Sequence, residues 1–144
     1  MATAFVFPGQ NSHSVGMGKD LYEDEPVARA ILDRADEVLG FSLTSLMFDG
    51  PEEDLTATQN QQPAILAHSA ACLVLLDAKG VTPAIVAGHS LGEYSALMAA
   101  GALGFDDALV LVRKRGELMS KAAGGAMAAV LGPDLADVEA ACET

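Results

Sequence analysis

Two kinds of hydrophobic pattern alternate along this chain. Residues 4–7 and 84–87 are short, continuous apolar runs that predict buried strands, and residues 126–131 predict a third strand. Apolar residues at helical spacing fill the longer segments between the runs. Helices are predicted over residues 26–39, 43–48, 64–79, 93–100, 107–122 and 134–142, with a short acidic helical turn at residues 51–54.

The order of these segments predicts the fold class. Strands that alternate with helices are typical of α/β proteins with a largely parallel sheet, and 144 residues suit one domain with a sizeable core. An amide-rich segment, residues 58–63, is expected to precede the helix 64–79, which is apolar on nearly every side and should be buried. The one candidate boundary is residues 122–125, where a new strand and helix begin.

The second apolar run leads directly into Gly88-His89-Ser90-Leu91-Gly92. Because a helix is predicted to follow, Ser90 would stand in a sharp turn between a strand and a helix, the G-x-S-x-G arrangement that exposes a nucleophilic serine. The bare pattern occurs by chance in roughly one chain in twenty of this length. Its place between a strand and a helix makes Ser90 a candidate nucleophile; the alternative is a glycine-rich loop that happens to contain a serine.

Charge and cysteine content exclude several classes of protein. The formal net charge is −12 with only eight basic residues, whereas a nucleic-acid-binding surface needs a basic face. Cys72 and Cys142 are too few and too far apart for a disulfide framework, so a reducing, cytoplasmic location is expected. No signal peptide is predicted, and no apolar stretch is long enough to span a bilayer.

One arginine occupies an apolar position of the predicted helix 107–122. Arg115 continues its apolar stripe, whereas Arg113 and Lys114 lie off the stripe and are expected in solvent. A guanidinium that faces the core stays charged and needs an anion opposite it. A buried carboxylate of the protein and a substrate carboxylate bound in bidentate fashion are equally compatible with the stripe; the presence of Ser90 favours the substrate. The stripe consists of Ala108, Leu111, Val112, Leu118, Met119 and Ala122.

A general base for Ser90 is missing from the sequence. A serine hydroxyl needs such a base to act as a nucleophile at neutral pH, and the three histidines are His13, His68 and His89. In the hydrolase order the histidine comes after the serine, but none of the three follows Ser90. The side chain of His89 is expected to leave the turn in another direction, His13 lies in a loop that could approach, and His68 is expected at the boundary of the core. Either the base is unusual or the chain is only part of an enzyme.

Four motifs, in this order, resemble the malonyl-CoA:acyl carrier protein transacylases and, more broadly, the acyltransferases of fatty acid and polyketide synthesis. The resemblance covers essentially the whole chain. It implies a parallel-sheet α/β-hydrolase-like large subdomain in residues 1–122 and the start of a ferredoxin-like small subdomain in residues 123–144. The motifs are Phe7-Pro8-Gly9-Gln10, residues 59–65 with Gln62-Pro63-Ala64, residues 88–93, and residues 112–116; residues 125–132 are also similar.

The resemblance implies a role for each matching residue. Ser90 would carry the acyl group as an ester, and the backbone N–H groups of Gln10 and Leu91 would form the oxyanion hole. Arg115 would bind the malonyl carboxylate. The remaining substrate-binding positions are Gln62 and His89.

Two loop positions depart from the family pattern. Asn11 and His13 stand where glycine and glutamine are usual. Asparagine tolerates a left-handed backbone better than most residues, so Asn11 is expected to keep the turn. The effect of His13 is open.

The implied reaction transfers a malonyl group from malonyl-CoA to the phosphopantetheine thiol of an acyl carrier protein. A coenzyme A thioester is then a substrate, and no bound cofactor or metal is expected. Members of the family are much longer and take their histidine base from the part with no counterpart here, so the chain is expected to be an N-terminal fragment. Two alternatives stay open: a fragment that folds, self-associates through its uncovered face and is inactive alone, or a serine esterase or thioesterase, which would leave Arg115 without a role.

Overall fold

The computed structural model describes residues 2–122, 130–132 and 134–143, which adopt an α/β arrangement around two parallel strands. Strand β1 (Ala4–Phe7) pairs with β2 (Ile85–Gly88), from Ala4 opposite Ile85 to Phe7 opposite Gly88. Parallel strands need a crossover connection, and here it is helical. The helices before β2 are α1 (Lys19–Asp24), α2 (Pro26–Leu39), α3 (Leu43–Asp49), α4 (Glu52–Thr56) and α5 (Thr58–Ala78); those after it are α6 (Gly92–Ala99), α7 (Phe105–Lys121) and α8 (Leu135–Cys142).

Helix α5 lies at the centre of the core, as its uniformly apolar sequence predicts. Its residues 61–67 are all buried, and α2, α3 and α7 contact it. A helix that is apolar all round must be covered on several sides, and large buried side chains of α5 and the neighbouring helices meet there. They include Leu32 of α2, Leu43 of α3, Leu66 of α5 and Leu109 of α7.

Helix α5 begins earlier than the sequence suggests. It starts at Thr58, so the amide-rich segment forms its first turns, and the expected start after Pro63 is wrong. Proline lacks an N–H, which leaves the carbonyl of the residue four positions earlier without a helical partner. That residue is Gln59, and Arg113 Nη1 donates to its carbonyl oxygen at 3.0 Å and to Asn60 Oδ1 at 2.6 Å.

The arginine that caps this carbonyl was expected in solvent, and that expectation is wrong. Arg113 is partly buried, forms an ion pair with Glu117 through Nε at 3.1 Å, and its guanidinium lies over the ring of Phe41. Lys114, in contrast, is exposed, as expected.

The two strands are less buried than predicted. Phe7 is buried, but Val6 is 76% and Ile85 is 66% exposed. Within the described residues the sheet has two strands, so each strand has an unpaired edge and the side chains that point away from the helices are uncovered. A strand is buried on both faces only where elements pack on both.

Helix α7 differs from its prediction at its start. It begins at Phe105, with Gly104 rather than Asp106 at the cap position. Asp106 instead accepts two hydrogen bonds from Arg34, at 2.6 and 3.2 Å. These bonds lower the pKa of the Asp106 carboxyl.

The buried face of α7 is also rotated from the predicted stripe. Leu111 and Leu118 of that stripe are exposed, and Arg115 lies at the border of the buried face. The face consists of Ala108, Leu109, Val112 and Gly116.

The C-terminal predictions are tested only in part. Helix α8 agrees with the predicted helix 134–142. Residues 126–129 of the predicted third strand, and residues 123–125 of the candidate boundary, lie outside the described residues. In the part of the chain that the structure describes, no helix combines the length and apolarity needed to cross a membrane.

Candidate active site

Ser90 lies in the turn between β2 and α6, which confirms the predicted strand–turn–helix arrangement. Its φ is +53°, a left-handed conformation that is uncommon for a residue with a side chain and is often found at functional sites. A Cβ on Gly88 would lie 2.0 Å from the carbonyl oxygen of Gly92, and a Cβ on Gly92 would lie 2.3 Å from that of Phe7. The two glycines therefore allow both strands and α6 to meet, with the Ser90 side chain exposed.

Two backbone N–H groups beside this turn have no hydrogen-bond acceptor within the described residues. They belong to Gln10, after β1, and to Leu91, at the N-terminus of α6. Leu91 is 0% exposed, and a buried N–H without a partner is rare. The residue after β2 is bonded to the end of β1, since His89 N–H donates to the carbonyl oxygen of Phe7 at 3.2 Å. The arrangement can accept negative charge on an oxygen bound next to Ser90.

The loop after β1, residues 8–13, is attached to the start of α5; we call it the β1 loop. Asn11 has φ +68°, which confirms the expected left-handed turn. Its N–H donates to Gln61 Oε1 at 2.7 Å, and Gln61 Nε2 donates to the carbonyl oxygen of Thr56 at 2.6 Å. Gln10 Nε2 donates to Thr58 Oγ1 at 3.3 Å. The β1 loop is therefore held at more than one point.

Arg115 reaches from α7 to the nucleophile candidate. Its Nη2 donates to Ser90 Oγ at 2.9 Å, and its Nη1 donates to Gln62 Oε1 at 2.7 Å. Among the described residues it has no ion pair with a carboxylate. The described residues thus do not provide the carboxylate of a structural ion pair. The guanidinium can therefore bind an external anion beside Ser90.

The start of α5 and the end of α7 must approach closely to bring Arg115 to this position. A Cβ on Gly116 would lie 2.6 Å from Gln59 Cα and 2.7 Å from the carbonyl oxygen of Thr58, so only glycine allows this approach. Gln62 is fully buried, and its Nε2 donates to Met119 Sδ at 3.3 Å. Because a guanidinium can only donate, the acceptor Oε1 of the amide faces Arg115.

None of the three histidines hydrogen bonds to Ser90. His89 Nδ1 would lie 2.5 Å from a Cβ on Gly9, so the ring packs against the β1 loop. His13 Nε2 lies 3.0 Å from Thr56 Oγ1. His68 lies in the middle of α5, half-buried, and its burial lowers its pKa.

Three residues of this site were given no role at the site from the sequence, although each lies within one of the motifs that carry the family resemblance. Gly116 had a usable signal, because an isolated glycine inside a helix often marks close packing. Arg113 could be connected to Pro63 only after the start of α5 was known. Gln61 had no signal of its own, since the amide-rich segment 58–63 was expected to precede the helix rather than to form its first turns.

Comparison with known proteins agrees with this geometry. The acyl transferase domain family matches residues 4–143. The chain is similar to a malonyl CoA-acyl carrier protein transacylase from Bacillus subtilis (strain 168), with 58% identity over 134 residues that make up 91% of this chain and 42% of that protein.

Two solved structures are also similar. An acyl-carrier-protein S-malonyltransferase from Burkholderia pseudomallei 1710b has a TM-score of 0.92 and 48% identity over 99% of this chain and 48% of that chain. A malonyl-transacylase in complex with a type II PKS acyl-carrier protein has a TM-score of 0.81 and 46% identity over 84% of this chain and 40% of that chain. The chain thus spans less than half the length of these relatives.

Proposed function

The chain belongs to the acyl transferase domain family, and we propose that it supplies the nucleophile and the acyl-group recognition of a malonyl-CoA:acyl carrier protein transacylase. Relatives at 46 to 58% identity carry that name or a synonym of it. One of them is a complex with an acyl carrier protein, which supports such a protein as the acceptor.

The observation that carries the proposal is the contact between Arg115 and Ser90. A cation 2.9 Å from the nucleophilic oxygen, without a carboxylate partner among the described residues, suits an acyl group that ends in its own carboxylate. Malonyl is such a group, because its carboxylate is one methylene from the thioester carbonyl. An esterase for simple esters would have no use for this cation.

In the proposed first half-reaction, Ser90 Oγ attacks the thioester carbonyl of malonyl-CoA. The carbonyl oxygen becomes negatively charged and accepts hydrogen bonds from the N–H groups of Gln10 and Leu91, which have no acceptor among the described residues. The C–S bond then breaks, coenzyme A leaves as a thiol with the proton that Oγ gave up, and malonyl remains on Ser90 as an ester. Arg115 holds the malonyl carboxylate in a two-bond contact, while Gln62 orients the guanidinium.

In the second half-reaction, the thiol of a phosphopantetheine arm attacks the same carbonyl. The C–O bond to Ser90 breaks, malonyl moves to the thiol sulfur, and the thiol proton returns to Oγ. The same two N–H groups stabilise the second tetrahedral intermediate. The packing of His89 against Gly9 supports a role for His89 in shaping the β1 loop at the substrate.

The general base is assigned to the part of the relatives that this chain does not span. None of the three histidines, all of which the structure describes, hydrogen bonds to Ser90 Oγ, and the family resemblance implies a histidine from that remaining part. We further propose that residues 1–122 belong to the hydrolase-like subdomain and residues 123–144 to the start of the ferredoxin-like one. The absence of buried residues in α8 supports a separate role for this last segment.

The test is the intact mass of the chain after incubation with malonyl-CoA. We expect a malonyl adduct, on this chain or on a longer protein that supplies the base, which is absent from Ser90→Ala and kept in Ser120→Ala, a variant of an exposed serine on α7. An adduct only on a longer protein that includes the remaining half of its relatives would place the base there. An adduct that persists in Ser90→Ala, or none on either protein, would contradict the proposal.

A further inference from the structure

The side chain of Gln61 is a buried amide with a hydrogen-bond partner at each end. It is 2% exposed, Oε1 accepts from Asn11 N–H at 2.7 Å, and Nε2 donates to the carbonyl oxygen of Thr56 at 2.6 Å. A backbone N–H can only donate and a carbonyl can only accept, so these partners fix the orientation of the amide. A buried amide with both ends paired is held in one position.

The bond to Asn11 restricts the position of its neighbour Gln10. The peptide unit between these residues is planar, so fixing the Asn11 N–H fixes the orientation of that whole unit. The left-handed φ of +68° at Asn11 redirects the chain after it. Gln10 is also attached through its own side chain to Thr58, so little rotation remains by which its N–H could move.

Gln62, the next residue of the same helix turn, contacts the arginine that lies beside Ser90. Gln62 Oε1 accepts from Arg115 Nη1 at 2.7 Å, and consecutive residues of an α-helix point about 100° apart. The first turns of α5 thus contact the β1 loop on one side and the guanidinium on the other. Their rigid spacing sets where the Gln10 N–H lies relative to the cation beside Ser90.

We propose that Gln61 is a positioning residue for the oxyanion hole: through Asn11 it holds the Gln10 N–H where the carbonyl oxygen of the acyl group becomes negatively charged. The proposal rests on the proposed function, in which that N–H stabilises the tetrahedral intermediates. In this role Gln61 acts through Asn11, since its side-chain hydrogen bonds are to Asn11 and Thr56 and not to Ser90.

The test compares Gln61→Met with Gln59→Met in the 144-residue chain. Methionine keeps the length of the side chain and removes both polar ends; Gln59 lies in the same helix turn and its side chain makes no hydrogen bond within the described residues. The rate of malonyl-Ser90 formation is measured against malonyl-CoA concentration. For Gln61→Met we expect the maximal rate to fall about 10- to 100-fold with KM little changed, because the interaction exists only in the transition state.

A second measurement, amide hydrogen exchange, separates positioning from general destabilisation. Gln61→Met should speed exchange of the Asn11 amide about 10-fold or more while the amides in the middle of α5 stay protected. An unchanged maximal rate, an equal loss in Gln59→Met, or an effect confined to KM would overturn the proposal.

Failure of the proposed function would look different. If the unsubstituted chain forms no malonyl adduct, the rate of Ser90 labelling by a fluorophosphonate replaces the malonylation rate. This reagent bonds phosphorus to Oγ and releases fluoride and the hydroxyl proton, and its phosphoryl oxygen, on which negative charge develops during the attack, takes the place of the carbonyl oxygen. Slower labelling of Gln61→Met than of Gln59→Met would uphold the positioning role without malonyl transfer; equal labelling would overturn it.

Discussion

Helix α5 carries polar side chains that are buried at its start and partly buried further along, and the two places differ in how these groups are hydrogen bonded. At its start, Gln61 and Gln62 each have partners at both ends of the amide. Further along, His68 and Cys72 line a cavity of about 370 Å³ between α5 and β1. There the contact between polar atoms is one of 3.9 Å, from Cys72 Sγ to His68 Nδ1.

The difference between these two places shows that a pKa shift caused by burial is a weaker indication of function than unusual local geometry. Burial lowers the pKa of His68 and raises that of the Cys72 thiol, shifts that disfavour the charged form of each group. Near Ser90 the indications are instead geometric: the positive φ of Ser90 and, among the described residues, two N–H groups without an acceptor and a guanidinium without a carboxylate partner. The His68–Cys72 pair is best explained as part of the core boundary, and the start of α5 as support for chemistry.

One added methyl group near Ser90 should lower both the stability of the fold and the acylation of Ser90. In Gly92→Ala the new Cβ meets the carbonyl oxygens of Phe7 and Pro8 at 2.3 and 2.8 Å, and backbone atoms there have no room to move. We expect a loss of about 3 kcal/mol in the free energy of unfolding, with loss of Ser90 acylation. Gly104→Ala is the control, since its nearest contact is at 3.7 Å. Equal urea midpoints for the two variants would contradict this account.

A carboxylate introduced next to Arg115 should form an ion pair with its guanidinium and compete with the substrate. In Gln62→Glu the new side chain faces Arg115 in a buried setting, so it pairs with the guanidinium and repels the malonyl carboxylate. We expect KM for malonyl-CoA to rise about 10-fold or more, with a smaller change for acetyl-CoA. Gln59→Glu should not show this difference between the two substrates, which steady-state kinetics measures. An unchanged KM for malonyl-CoA in Gln62→Glu would contradict the assignment.

At His68, a change of pH should alter the free energy of unfolding and not the acylation of Ser90. Because the folded-state pKa of His68 is lowered, the unfolded chain takes up a proton more readily as the pH falls. The stabilisation is therefore complete above the unfolded pKa of about 6.5 and is lost as pH falls towards the folded value. Urea unfolding between pH 7.5 and 5 should show a shallower pH dependence for His68→Gln than for the unsubstituted chain. Identical pH profiles would show that His68 is not the group responsible.

The smallest effect is expected at Cys72. Its thiol is partly buried with a raised pKa, so little thiolate is present at neutral pH. Cys142 is exposed and should react first with iodoacetamide, as peptide mass mapping can show. Cys72→Ala should leave Ser90 acylation unchanged. Faster labelling of Cys72, or a loss of acylation, would give this pair a role that we do not assign to it.

The sequence predicted the local features of the site better than its long-range contacts. The turn at Ser90 and the left-handed Asn11 follow from residue types within a few positions, and both are confirmed. Arg115 was found as an interruption of an apolar stripe, although the stripe itself was rotated. Contacts such as Gln61 with Asn11, or Arg113 with the carbonyl freed by Pro63, join segments about fifty positions apart. Only the fold brings these segments together, and the exposure of β1 and β2 likewise depends on what packs beside them.

The central claim is that Arg115 selects an acyl group with a carboxylate at Ser90. It is tested most directly by offering malonyl-CoA and acetyl-CoA together and measuring the ratio of the two adducts on Ser90 by intact mass. The ratio should strongly favour malonyl in the unsubstituted chain, or in a longer protein where that is needed for acylation. In Arg115→Ala it should fall about 100-fold, the loss of two charge-assisted hydrogen bonds, while Lys114→Ala keeps the original ratio. A malonyl preference that survives in Arg115→Ala would contradict the claim.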